Sequence, residues 1–218
     1  MAQIIRQIYL GNGVTDFLQY IIDRDATTTT LIICSTRESF LRQLYTTACT
    51  NENANASDHE FLAQTISLLS KSSKIKVVYC PTVENLRAYL AVLPPFSSSS
   101  QEVVAEKQSM NRPLIAILGP LALHSPTSEF SAQGLSRTLA SAVETASREG
   151  MDLILSERAD ATGSAVGDRG KALWHTNVPL LSSSVRRGEG SWLGRSVPVE
   201  RVAQRWFEFY EPVQSEAA

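Results

Sequence analysis

The sequence has little of what builds a disulfide framework, a metal site or a membrane anchor. It has three cysteines, an odd number, and no pair has the spacing of metal ligands. Cys34 and Cys80 each end a β-branched run, which is typical of small buried core residues. No apolar run reaches the roughly 20 residues of a membrane span, and the N-terminus lacks a secretory signal pattern. We therefore expect an intracellular protein of a reducing compartment, without metal or membrane contact.

The chain also lacks the basic excess of many nucleic-acid-binding proteins. Its 218 residues carry 20 Lys and Arg against 22 Asp and Glu, a formal net charge of −2. The distribution is uneven, because the segment from Glu157 to Arg205 holds eight basic and five acidic residues. With 43% hydrophobic residues, the length suits one hydrophobic core. We expect a single α/β domain over residues 1–212 and a short disordered tail over 213–218.

Two kinds of apolar pattern alternate along the chain. Unbroken apolar runs predict strands buried on both faces, and i, i+3, i+4 spacing predicts helices between them. The predicted strands are Ile4–Leu10, Thr29–Cys34, Ile75–Cys80, Leu114–Leu118 and Leu153–Leu155. The predicted helices are Val14–Asp23, Glu38–Cys49, Phe61–Leu69, Val83–Leu93 and Gln133–Arg148. This alternation predicts an α/β fold with a mostly parallel sheet flanked by helices.

The last part of the chain predicts a different kind of pairing. Leu180–Val185 and Val197–Tyr210 flank the sequence Arg-Arg-Gly-Glu-Gly-Ser, whose composition is typical of a hairpin turn. We expect these two segments to form a C-terminal antiparallel hairpin at one edge of the sheet.

The turn after the first strand is where α/β proteins hold phosphate groups. On the pattern GxxxxGK[ST], Gly13 is the second glycine and Thr15 the hydroxyl, and Gly11 lies between the two glycine positions. Val14 stands at the lysine and Ile8 at the first glycine. Phosphoryl transfer needs that lysine on the β- and γ-phosphates, so this is a degenerate phosphate loop. A tight strand-to-helix turn without nucleotide is the simpler interpretation.

The same turn supports a second interpretation, a dinucleotide site. Gly11 and Gly13 match two glycines of GxGxxG, with Asp16 in place of the third, and Arg37 follows the second strand, where it could meet a 2′-phosphate. An NADP-binding Rossmann-type oxidoreductase is therefore the alternative. The sequence has no Tyr-x-x-x-Lys pair to supply a proton relay for hydride transfer.

Other catalytic constellations are missing from the sequence. The apolar strand Leu114–Leu118 ends in Gly119-Pro120, and no carboxylate follows before Glu129. The three histidines are scattered, and we expect them on the surface or at helix caps. The sequence therefore predicts no enzyme and no cofactor.

Basic residues with interleaved aromatics follow the last predicted parallel strand. The first group lies in or beside a glycine-containing loop that precedes Trp174, and the second flanks a turn that contains Trp192. Such a combination suits phosphate contact with base stacking, although a solvated basic rim is the alternative. The candidate DNA-binding residues are Arg158, Arg169, Lys171, Arg186 and Arg187.

Taken in chain order, these features resemble the core of the RecA family of recombinases, in the reduced form of eukaryotic recombinase paralogues. The most telling stretch has an apolar strand from Leu114, the segment Ser131–Arg137, a long helix ending in Ser-Arg-Glu-Gly at Gly150, and the strand Met151–Ser156. This matches the family's magnesium strand, first DNA loop, helix and following strand. The resemblance implies that the loop Ala159–Asn177 lies where the family has its second DNA-binding loop.

The sequence departs from the family at the residues that make the fold an ATPase. Val14 replaces the lysine, Gly119 replaces the magnesium aspartate, and Thr36 stands near the catalytic glutamate's place, with Glu38 two residues on. We also expect no helical domain before the first strand. The resemblance therefore implies a non-catalytic RecA-like subunit.

Small degenerate proteins of this kind occur in the Shu complex, which assists recombinase loading, and in the accessory hexamer of Elongator. The length and the basic loop favour the Shu-like interpretation, which implies a nuclear protein assisting homologous recombination and DNA repair. The implied partners are another small RecA-like or zinc-binding subunit, a recombinase, and single-stranded or forked DNA. An Elongator-type accessory subunit is the other interpretation of the resemblance.

Overall fold

The unbroken apolar runs of the sequence form the centre of one parallel sheet. The computed structural model describes residues 4–11, 13–50, 66–93, 112–157, 170–182, 186–187, 191–192 and 195–212. The strands of the main sheet are β1 (Arg6–Tyr9), β2 (Thr29–Ile33), β3 (Ile75–Tyr79), β4 (Leu114–Leu118), β5 (Asp152–Ser156) and β10 (Glu208–Tyr210). In β2, β4 and β5 every residue is buried, as expected of strands covered on both faces.

The strand order places the N-terminal strand away from its successor. The order is β10-β1-β5-β4-β2-β3, and every neighbouring pair is parallel. Two strands, β5 and β4, therefore separate β1 from β2. The predicted α/β class with a parallel sheet flanked by helices is confirmed.

Helices cover both faces of this sheet. They are α1 (Val14–Asp23), α2 (Arg37–Thr50), α3 (Ile66–Ser72), α4 (Val83–Val92), α5 (Pro120–His124), α6 (Ala132–Arg148) and α7 (Val199–Ala203), with a 3-10 helix at Gly170–His175. One hydrophobic cluster includes Phe17 of α1 and Phe40 of α2. The other includes Leu86 of α4, Leu139 of α6 and Trp174 of the 3-10 helix. The sheet therefore separates two cores of different helix composition.

Local chemistry fixes both ends of α6. The side chain of Ser131 caps its first turn and accepts a hydrogen bond from the Gly134 amide at 3.0 Å. A Cβ at position 134 would collide with the backbone carbonyl of Glu129, so the incoming loop requires glycine there. At the other end Gly150 has a φ of 65°, the left-handed conformation that commonly terminates a helix.

The predicted C-terminal hairpin is present, but it does not extend the main sheet. β6 (Asn177–Pro179) pairs antiparallel with β9 (Ser196–Pro198), and β7 (Arg186–Arg187) pairs with β8 (Ser191–Trp192). Each pair forms its own two-stranded sheet, apart from the six-stranded one. An antiparallel hairpin is therefore present in this region, but not at the expected sheet edge. Arg186 and Arg187, which the composition predicts in the turn, form strand β7, and residues 180–182, which it predicts in a strand, are not part of one.

The prediction of one continuous strand over Val197–Tyr210 is wrong. This segment contains the end of β9, helix α7 and strand β10. Val199, Val202 and Ala203 are buried at helical spacing, which holds α7 against the sheet. The chain then returns as β10, which pairs parallel with β1 and forms the edge.

The cysteines that the structure describes with their side chains behave as core residues. Cys34 and Cys80 are buried free thiols, and burial raises the pKa of the Cys80 thiol. Among the described helices, none combines the length and apolar character needed to cross a membrane. The described part of the chain also holds no group of three or more His, Cys, Asp or Glu able to bind a metal ion. The tail predicted at 213–218 lies outside the described residues.

Candidate functional site at the carboxyl edge of the sheet

The carboxyl ends of all six strands of the main sheet lie at one edge, because the strands are parallel. In open α/β sheets ligands bind outside this edge. The chain segments that leave the sheet there begin at Leu10, Cys34, Cys80, Gly119, Glu157 and Glu211. These segments include both the degenerate phosphate loop and the start of the predicted DNA-binding region.

The turn after β1 is closed by its own side chains. Gly13 is the N-cap of α1 in an extended conformation, and no side chain caps the helix. The side chain of Val14 is buried in the core, as is that of Thr15. A Cβ at Gly11 would collide with the ring of Tyr9, which shows that an aromatic ring lies directly against this turn. The residue at the lysine position therefore belongs to the core, and the residue that supplies the hydroxyl of the pattern is buried.

The charge at the start of α1 is also wrong for a phosphate. Asp16 is an exposed acidic residue in the first turn of the helix. A carboxylate there interacts favourably with the positive end of the helix dipole and repels an incoming anion. Of the predicted loop residues, Gly11, Gly13 and Thr15 are thus brought together, but in a setting that opposes phosphate binding.

A buried carboxylate from the neighbouring strand occupies the turn after β4. Gly119 has a φ of 77° and Pro120 starts α5. The side chain of Glu157, which is 4% exposed, accepts hydrogen bonds from the amide of Leu121 and, at 3.2 Å, from that of Ala122. Glu157 therefore fixes the start of α5 to the end of β5. Its hydrogen bonds are those of a structural cap.

The turn after β2 has a similar role. The hydroxyl of Thr36 accepts a hydrogen bond from the amide of Ser39 at 3.2 Å and so caps the first turn of α2. Glu38 lies in that same turn. The residue near the place of a catalytic glutamate is thus engaged in starting a helix.

The structure describes three of the five candidate DNA-binding residues. Lys171 forms an exposed ion pair with Glu211, at 3.3 Å, just beyond the end of β10. Arg186 and Arg187 form β7, opposite Trp192 and Ser191 in the register of the hairpin. Arg158 and Arg169 lie outside the described residues.

Lys171 and the start of the hairpin segment both lie near the carboxyl edge. Lys171 lies at this edge because it forms an ion pair with Glu211, which follows β10 directly. The hairpin starts beside the first turn of α6, where the Gln133 amide donates to the Leu180 carbonyl at 3.0 Å. Since α6 returns the chain to the start of β5, its first turn lies at the carboxyl edge. The structure thus brings Lys171 and the base of the hairpin to the same side of the molecule.

Sequence reasoning misses a buried histidine beside this edge. The pattern predicts His124 on the surface or at a cap, but its side chain is fully buried at the end of α5. Its Nδ1 donates to the Pro120 carbonyl at 2.7 Å. Because a neutral imidazole has one donor nitrogen, its Nε2 accepts a hydrogen bond from the Thr138 hydroxyl, at 3.0 Å. Burial lowers the pKa of His124. The one signal in the sequence is the apolar stretch Leu121–Leu123 directly before it.

The hydrogen bonds continue from Thr138 to a partly buried ion pair. The Nε of Arg87 donates to the Thr138 hydroxyl at 2.9 Å, and an Nη donates to Glu129 at 2.9 Å and to the Gly134 carbonyl at 2.8 Å. The guanidinium of Arg87 lowers the pKa of Glu129. This His124 network joins α4, α5 and α6 and stabilises the loop between α5 and α6.

Comparison with known proteins places the chain in a family. No curated protein and no solved structure matches it. A family model described as SPAC22G7.03-like matches residues 5–218, which includes every strand and helix of the structure and the hairpin with its candidate DNA-binding residues. A match of this extent covers far more than half of the sequence. The chain therefore belongs to the SPAC22G7.03-like family.

Proposed function

We propose that this protein is a non-catalytic RecA-like subunit of a hetero-oligomeric complex that assists homologous recombination and DNA repair. The carboxyl edge of its sheet contacts DNA in that assembly. One observation carries the proposal: the positions where nucleotide chemistry would occur are closed by the protein's own side chains, while the candidate residue Lys171 is ion-paired with Glu211 at the same edge.

The closure of the edge argues against catalysis in physical terms. Tyr9 lies against Gly11, Asp16 opposes an anion at α1, and Glu157 is hydrogen-bonded to the amides of α5. A working phosphoryl-transfer site needs free amides and a cation at the phosphates, with a metal held nearby. The exposed positions at this edge are therefore better suited to contact than to chemistry.

The strand order does not favour the oxidoreductase alternative. In a Rossmann sheet the second strand lies beside the first, and the dinucleotide lies across the point where the order reverses. Here β1 lies between β10 and β5, and two strands separate it from β2. The turn at Gly13 and Arg37, at the start of α2, therefore follow strands that are not neighbours, unlike the two turns that hold a dinucleotide in a Rossmann sheet.

The link to recombination rests on the order of strands, loops and helices along the chain, which resembles that of the RecA family. The same resemblance is compatible with an accessory subunit of the Elongator type, which is the second form of the proposal. Both forms require partner subunits. The subunit has no nucleotide switch in this account, so its action depends on the surfaces that it presents.

The proposal is tested with the complex purified from native cells through a tag on this chain. We expect a stoichiometric partner identified by mass spectrometry, and a purified chain that binds neither ATP with Mg²⁺ nor NADPH in fluorescence titrations. A monomer without partners would contradict the hetero-oligomer. Tight Mg²⁺-dependent ATP binding would contradict the closed edge, and NADPH binding would support the oxidoreductase.

A further inference from the structure

In the described part of the chain, the outer edge of the main sheet at β3 is open. Among the described strands β3 pairs only with β2, at the end of the strand order. Whereas β2 is buried along its whole length, the side chains of β3 are partly or fully exposed, and Val77 is 45% exposed. An exposed strand edge is a template for pairing with another strand.

The hydrogen-bond register shows which backbone groups of β3 point outward. The Thr29 amide donates to the Lys74 carbonyl at 3.0 Å, and the Cys80 amide donates to the Ile33 carbonyl at 2.9 Å. Because parallel strands alternate in this way, residues 74, 76, 78 and 80 face β2, and the amides and carbonyls of Ile75, Val77 and Tyr79 face away from it. In the part of the chain that the structure describes, no hydrogen bond reaches these outward groups.

The side chains of β3 divide into an apolar face and a mixed face. Ile75 and Tyr79 pack partly on the core beneath α1 and α2, and Val77 lies between them on the same face. Lys76 and Val78 are on the other face. The apolar face continues onto α2, whose Phe40 ring lies 6.2 Å from that of Tyr79. Exposed apolar side chains on α2, at Leu41 and Tyr45, extend this surface.

The order of these residues makes the strand complementary to itself. If two copies pair antiparallel about a two-fold axis at Val77, Val77 meets Val77, and Ile75 of each copy meets Tyr79 of the other. On the opposite face Lys76 meets Val78, so no two lysines lie directly opposite each other. Each copy would use the same patch, as a closed two-fold dimer requires.

We propose that the β3 edge pairs with the β3 edge of a second copy of this chain, which joins the two sheets into one. The outward amides and carbonyls of Ile75, Val77 and Tyr79 supply the hydrogen bonds, and the apolar face supplies the buried surface. This interface is separate from the carboxyl edge and does not depend on the proposed function.

The test is the molar mass of the full chain by sedimentation velocity over a wide range of concentrations. We expect a concentration-dependent dimer for the parent. Val77→Lys and Val77→Glu should each be monomeric under the same conditions, because the two-fold axis brings like charges together. An equimolar mixture of the two variants should recover the dimer, because opposite charges then meet at this position. Val92→Lys, a change at an exposed valine of α4, should dimerise like the parent.

Two results would overturn the proposal. The first is a parent chain that stays monomeric at every concentration, whether or not the β3 amides are protected from exchange. The second is a dimer that persists in both charged variants, because pairing would then occur elsewhere. In contrast, protection of the Ile75, Val77 and Tyr79 amides from hydrogen exchange only in the dimer would support it directly.

Discussion

Single residues at the carboxyl edge have structural functions that their sequence context does not reveal. Gly13 fits part of a phosphate pattern, but its extended backbone is open to any residue, and a Cβ at this position would make only ordinary contacts. Gly134 lies in the segment that resembles a DNA loop, yet the carbonyl of Glu129 leaves no room for a side chain there. Its requirement for glycine comes from packing between the loop and α6.

Gly134→Ala should therefore destabilise the fold. The added Cβ must displace the backbone at Glu129, and overpacking of this kind costs about 1–3 kcal/mol in the free energy of unfolding. Urea unfolding measures this change. Gly13→Ser is the matched control and should be neutral or slightly stabilising, because serine can cap α1. A larger loss for Gly13→Ser than for Gly134→Ala would contradict this account of the two glycines.

The buried His124 predicts a dependence of stability on pH. In the unfolded chain this histidine takes up a proton near its ordinary pKa of 6.5, whereas burial and the nearby Arg87 make it do so at lower pH in the folded protein. Just below 6.5 the unfolded state therefore binds more protons, and the free energy of unfolding falls as the pH falls. Urea unfolding at pH values on both sides of 6.5 measures this loss.

His124→Gln should remove that part of the pH dependence, because glutamine can donate to the Pro120 carbonyl and accept from Thr138 without titrating. The ion-paired Glu129 contributes in a separate, more acidic window, because its pKa is lowered from 4.5. Equal pH dependence of the parent and the variant just below 6.5 would contradict the neutral, buried histidine.

At the scale of elements, the long apolar runs and amphipathic segments are predictable and the short elements are not. β2 and β4 are at their predicted positions because each is an unbroken apolar run, and α6 is at its predicted position because its 17 residues show the helical period. α7 and β10 have five and three residues, so burial in the finished fold decides their conformation. The burial of His124 could not be predicted from the sequence either, because its hydrogen-bond partner Thr138 lies 14 residues away and meets it only in the folded chain.

Glu157 joins the end of β5 to the start of α5, and its substitution tests how much this contact stabilises the fold. Glu157→Ala should lower the free energy of unfolding by about 1–3 kcal/mol, because two helix amides lose their acceptor in a buried place. Glu157→Gln should lose less, since one side-chain oxygen still accepts. Chemical denaturation of both variants measures the difference. If alanine and glutamine were equally well tolerated, the capping role of Glu157 would be wrong.

At the scale of the molecule, the topology brings distant segments to one edge. Parallel pairing of β1, β5 and β10 places the turn at Gly11, Glu157 at the end of β5 and the Lys171–Glu211 pair on the same side. The sequence predicts the parallel sheet, but the strand order depends on packing between distant segments. Among the candidate basic residues, Lys171 has a described side chain, and its partner Glu211 places it at this edge.

The central claim is that this edge contacts DNA through phosphates, and binding by the assembled complex at two salt concentrations tests it most directly. Arg169→Ala with Lys171→Ala, and separately Arg186→Ala with Arg187→Ala, should weaken binding of single-stranded and duplex DNA. Each pair should flatten the salt dependence by about one to two units of slope. Lys71→Ala with Lys74→Ala, which removes ion-paired lysines near the amino end of β3, is the control and should bind like the parent. Unchanged affinity and salt slope in both carboxyl-edge variants would contradict the claim.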